Sequence, residues 1–163
     1  MQYLLGGRRD FTILPILVGS FHDLMLDGRD PIEDDEVRRF VAALRAVEHE
    51  RGDRVAYIGG VDLGHVGPEF GDPDRVDDGT LAALRSFDAA MVDRAAHGDA
   101  RGWFAEAAAV ANRWRVCGLA ATYTFLHAIG PADGRLLRYD QAVNPERTCC
   151  VSFASLSFEK ANP

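Results

Sequence analysis

Apolar runs and stretches of amphipathic spacing alternate along the chain, and the two periods divide it into elements. TILPILVG, residues 12–19, is a continuous apolar run closed by glycine, the pattern of a strand buried on both faces. Acidic residues then open a helical segment in which Val37, Phe40, Val41, Leu44 and Val47 share one face, with Gly52 past its end. DRVAYIGG, residues 53–60, reads as a second buried strand. Strand, helix and strand in that order predict a right-handed parallel crossover.

From about Thr80 a helix carries Leu81, Leu84, Phe87 and Met91 inward and stops near Gly98. Asp99 is placed to cap another helix, with Trp103, Ala107, Val110 and Ala111 on one side. RVCGLAATYTFLHAIG, residues 115–130, sets Cys117 and Gly118 at a helix start. RLLRYDQAV (135–143) and TCCVSFASLSF (148–158) read as strands, and the second alternates Val151, Phe153 and Leu156 with serines, which suits an antiparallel or edge strand. The parallel strands visible this way all fall in the first third of the chain, fewer than the roughly five of a doubly wound sheet. MQYLLGGRRD reads as the tail of a helix. The expectation is an α/β fold with a mixed, mainly parallel sheet flanked by helices, in which residues 1–163 form the C-terminal half of a larger single domain.

Composition narrows the function classes. The 163 residues are 47% hydrophobic, enough for one packed globular domain. A formal charge of −7 and a pI near 5.1 argue against nucleic acid or an anionic membrane as partner, since both need clustered Lys and Arg. No apolar run reaches the ~20 residues of a membrane span, and no signal-peptide pattern precedes the first predicted strand. The cysteines are Cys117 and the adjacent Cys149 and Cys150, without a CxxC, which fits a reducing compartment and predicts a cytoplasmic protein.

Candidate chemistry concentrates in YIGGVDLGHVGPEFGD, residues 57–72, where Asp62 and His65 stand three apart in a glycine-rich loop. The loop follows the second predicted strand at its carboxyl end, where open α/β sheets bind their ligands. A carboxylate there orients an imidazole for proton transfer or metal ligation. The plainer alternative is that Asp62 caps a turn and His65 is solvated. Cys117, at a helix N-terminus, meets free N–H groups and the positive end of the dipole, which favour the metal-binding thiolate. Its plainer alternative is a small buried hydrophobe. His22, in GSFHDL, is a second-line candidate for the same crevice, and Tyr139, Asp140 and Gln141 are placed to line it. His49, His97 and His127 read as structural or solvated, and Cys149 and Cys150 as strand packing. Gly59 and Gly60 complete neither a dinucleotide fingerprint nor a P-loop. Ser20 lacks the GxSxG elbow of a hydrolase.

FTILPILVG, the DLGHVGPEFGD loop, VCGLAATYTFL, LLRYDQA and VSFASLSF occur in that order, from about Phe11 to Phe158. Together they resemble the Memo family, called AmmeMemoRadiSam system protein B in bacteria. The resemblance implies a fold similar to class III extradiol dioxygenases, with a metal crevice at one end of the sheet. It implies iron or copper, held in the family by two N-terminal histidines and a C-terminal cysteine that matches Cys117. Asp62 and His65 match an aspartate and a histidine beside that metal, with His65 as acid/base or as an additional ligand and Asp62 as its orienter. Two departures stand out: the family's two metal-binding histidines lie in a half this chain does not contain, and Val61 replaces a frequent serine. The implied function is a metal-dependent, redox or dioxygenase-like protein whose crevice takes a small molecule or peptide. The alternative is a non-enzymatic adaptor that binds a peptide or small anion in the same crevice. The missing half also implies self-association or pairing with another chain across the face it leaves.

Overall fold

The computed structural model describes residues 10–160. Five α-helices and three strands occur among them: α1 (His22–Leu26), α2 (Asp35–Arg51), β1 (His65–Val66), α3 (Asp78–Ala96), α4 (Ala100–Ala109), α5 (Leu119–Ile129), β2 (Ala132–Val143) and β3 (Cys150–Lys160).

Three of the helices start where an acidic side chain takes up free backbone N–H groups. Asp34 accepts from Glu36 and Val37 at the start of α2, Asp77 from Thr80 at α3, and Asp99 from Gly102 at α4. In α2 the charges follow the helix dipole, with Asp35 and Glu36 in the first turn and His49 and Arg51 in the last. Val110 and Ala111, expected on α4, lie beyond its end. There the chain turns tightly through left-handed backbone at Ala111, Asn112 and Arg115.

The sheet corrects the expected architecture. Its order is β1-β3-β2 and both pairings are antiparallel, so it is a small antiparallel sheet rather than a mainly parallel one. The strands β2 and β3 form a hairpin, and β1 hangs on the other edge of β3 with His65 opposite Val151. Neither 12–19 nor 53–60 is a strand: Gly52–Arg54 is a 3-10 turn, and the other residues of both runs have no regular structure. No parallel crossover therefore forms. The physical reason is the lack of neighbours. A run apolar on both faces holds as a strand only when its backbone is paired and both faces are covered. Among the described residues nothing pairs with either run, and Leu17 and Leu14 are 100% and 76% exposed. The stripe on α2 fares similarly, with Val41 buried but Phe40 and Val47 exposed. Of the helix expected at the N-terminus, residues 1–9 lie outside the described residues.

The core forms among α3, α4, α5 and the hairpin, around Leu84, Met91, Trp103, Tyr123 and Leu126. Trp103 donates from its ring nitrogen to the carbonyl of Leu119 at 2.9 Å, tying α4 to the first residue of α5. That bond fixes the height of the turn carrying Cys117. Among the described residues no helix is long and apolar enough to cross a membrane.

Candidate metal centre

The 62–66 segment is held on both sides. Its Leu63 N–H donates to Ser152 of β3 at 2.8 Å, and its His65 N–H donates to Trp114 at 2.7 Å. A third bond runs the other way, from the Gly118 N–H to the Asp62 carbonyl at 3.2 Å. The loop with the acid and imidazole is thus sandwiched between β3 and the turn at residues 111–118. Glycine permits this at two points. A Cβ on Gly64 would lie 2.5 Å from Leu84 Cδ1, and one on Gly118 would lie 2.7 Å from the Asp62 carbonyl oxygen.

These constraints bring three donors together. Ligand atoms of Asp62, His65 and Cys117 all lie within 4.8 Å of one another. The His65 ring is mostly buried, stands edge-on to Phe70 at 5.0 Å and places Nε2 3.7 Å from Asp62 Oδ2. Its Nδ1 faces two carbonyl oxygens, of Leu63 and Arg115, each at 3.1 Å. Only a protonated nitrogen satisfies two acceptors, so the hydrogen sits on Nδ1 and the Nε2 lone pair is free for a proton or an ion. The Arg115 guanidinium completes the bracket, bonding the His65 carbonyl at 3.2 Å and Asp72 at 2.7 Å. That contact holds the Asp72 carboxyl below its ordinary range.

Cys117 sits one residue before the Gly118 cap of α5, where the helix dipole was expected to favour thiolate. The geometry reverses that. Partial burial of the sulfur, followed by the hydrogen bond its thiol donates to Asp62, pushes Cys117 up to about 11. The resting side chain is a protonated thiol shared with a carboxylate.

The trio fits a metal ion. Metal–donor distances of about 2.0–2.3 Å put tetrahedral neighbours roughly 3.5 Å apart, so side-chain rotation of modest size closes the set. Nitrogen, oxygen and sulfur donors suit zinc, iron or copper better than magnesium or calcium. A thiolate and a carboxylate would also neutralise a divalent ion.

His22 is outside this trio but lines, with Cys117, Ser20, Met25 and Arg115, an adjoining cavity of about 400 Å³. Tyr139, Asp140 and Gln141 do not line it. They bond instead to Asp88, Arg138 and the Leu81 carbonyl, away from the cavity. His97 bonds the Asp93 carbonyl at the end of α3, and burial lowers the pKa of His127. Cys150 is buried in β3, and burial pushes its thiol up to about 11. Arg115, Ser152 and Asp88 escaped the sequence reading. Asp88 left one signal, an acid on the apolar stripe of Leu84, Met91 and Ala95.

Compared with family models, curated proteins and solved structures, the chain matches none.

Proposed function

We propose that the protein is a Memo-like metal-binding protein of the cytoplasm, with Asp62, His65 and Cys117 forming a redox or dioxygenase-like centre. The observation that carries this reading is the grouping of three chemically different donors, drawn from a loop and a distant turn, within 4.8 Å. Iron or copper, the metals the resemblance implies, would supply Lewis acidity and electron transfer when bound. The chain's own groups do the rest. His65 would offer Nε2, Asp62 orients the set and takes the hydrogen bond of the Cys117 thiol, and Cys117 would bind through its sulfur after losing that proton to solvent. The adjoining cavity, with His22 and Arg115 on its wall, is the place for a small molecule or the end of a peptide.

A second reading, an adaptor that takes a peptide or small anion without metal, draws support from the size of the ligand set. Three donors are one short of a closed structural site. Loading the protein with Fe(II) or Cu(I) separates the two. Metal binding that weakens strongly in Cys117→Ala supports the centre, and equal affinity in both proteins rejects it. Peptide binding that survives both EDTA and His65→Ala favours the adaptor.

A further inference from the structure

We infer that Ser152 is the positioning residue of the Asp62–His65–Cys117 centre; this rests on the metal-binding reading above. Ser152 is fully buried on β3 and bonds, with backbone and hydroxyl, to the short link between the two loop donors. Its carbonyl accepts from Leu63 at 2.8 Å and its N–H donates to the Gly64 carbonyl at 2.9 Å. Its Oγ accepts from the Gly64 N–H at 2.9 Å and lies 3.3 Å from the Gly64 carbonyl. Leu63 and Gly64 are the residues between Asp62 and His65, so a shift of Gly64 moves both donors.

A serine hydroxyl has one hydrogen and two lone pairs, so Oγ accepts from the Gly64 N–H while it donates to the Gly64 carbonyl. The Gly64 carbonyl also accepts from the Ser152 N–H. Asp88 of α3 is a fully buried carboxyl that belongs to the core rather than to the loop. Tyr139 of β2 donates to its Oδ2 at 2.8 Å, while Oδ1 has no hydrogen-bond partner among the described residues. A carboxyl on a buried helix face lowers stability unless its bonds are made. Tyr139 therefore supports the core carboxyl without a hydrogen bond to the loop.

The test uses Co(II) alone as probe, reading affinity and thiolate–cobalt absorption in the whole protein, with a thermal melt of each variant. Ser152→Ala is expected to weaken Co(II) binding about 10–100-fold, the usual effect of losing a group that orients a ligand. Tyr139→Phe is the matched control: it removes a hydroxyl from the Asp88 carboxyl but touches nothing in the loop. It is expected to lower the melting temperature while leaving Co(II) affinity close to wild type. Equal weakening in both variants, or none in Ser152→Ala, overturns the inference. If Ser152→Ala does not fold, Ser152→Cys keeps the volume with a weaker acceptor, and unchanged affinity there overturns it equally. A wild-type protein without thiolate–cobalt absorption rejects the metal-binding reading itself. Normal absorption in the wild type with an unaffected serine variant rejects the positioning role alone.

Discussion

The thiol of Cys117 donates a hydrogen bond to the carboxylate of Asp62, which lies 55 positions earlier in the chain. That contact joins the turn before α5 to the loop before β1, and after burial of the sulfur it is the next largest cause that keeps the proton on the thiol. It also makes the reactivity of Cys117 a report on the geometry of the centre.

Asp62→Asn removes the charge that holds the proton on sulfur, so the Cys117 pKa falls from about 11. The attacking species is the thiolate, so below the pKa alkylation accelerates roughly tenfold for each unit the pKa drops. Iodoacetamide labelling at pH 8, followed peptide by peptide, is expected to be faster at Cys117 in the variant and unchanged at Cys149. Identical rates at Cys117 would show that Asp62 does not govern the thiol.

Gly118→Ala places a methyl group 2.7 Å from the Asp62 carbonyl oxygen and 2.8 Å from Val61 Cβ. The φ there is −73°, which alanine adopts freely, so the penalty is steric, of the order of 1–3 kcal/mol for an overpacked site. The loop and the turn must separate to admit it, drawing Asp62 from Cys117. Thermal melts should show the destabilisation, and Co(II) titration should show weaker binding. A variant with wild-type values in both experiments would contradict the close packing of loop against turn.

Burial raises the pKa of Asp88 above that of an exposed aspartate. A group whose folded-state pKa is raised binds a proton more tightly in the folded protein. Its contribution is fully present below the unfolded value near 3.9 and is lost as pH rises through the folded value. Asp88→Asn keeps the shape and cannot ionise. Its melting temperature should therefore gain on wild type as pH rises from about 4 toward neutrality. A constant gap across that range would mean that Asp88 does not titrate in the fold.

Leu17 is fully exposed and Leu14 nearly so, on a run with the composition of a buried strand. Exposed apolar segments of this kind promote association. The double substitution Leu14→Lys and Leu17→Lys should raise solubility and leave the melting temperature unaltered, because neither side chain packs in the core. A fall in melting temperature would place the run inside the folded core after all.

The helices were legible because their caps are local. Asp34, Asp77 and Asp99 act on N–H groups two or three residues away, within reach of a sequence pattern. The runs at 12–19 and 53–60 misled for the opposite reason. Apolar periodicity records which residues favour burial and says nothing of whether cover is present. At the site, Asp62, His65 and Cys117 were visible as residue types, and the structure brings them together. The thiolate expectation failed because a dipole argument is local, while burial of the sulfur, and then the carboxylate of a distant loop, oppose it. Arg115 was hidden in a turn whose left-handed residues include no glycine to mark it.

The pairing of His65 with Val151 makes the imidazole a rung of the sheet, whereas Cys117 hangs from a connecting turn. The two walls of the centre therefore differ in compliance. An ion held by the trio would draw the sulfur across, with the ring as the anchor. Selectivity among metals of different radius would then depend on how far that one turn can travel.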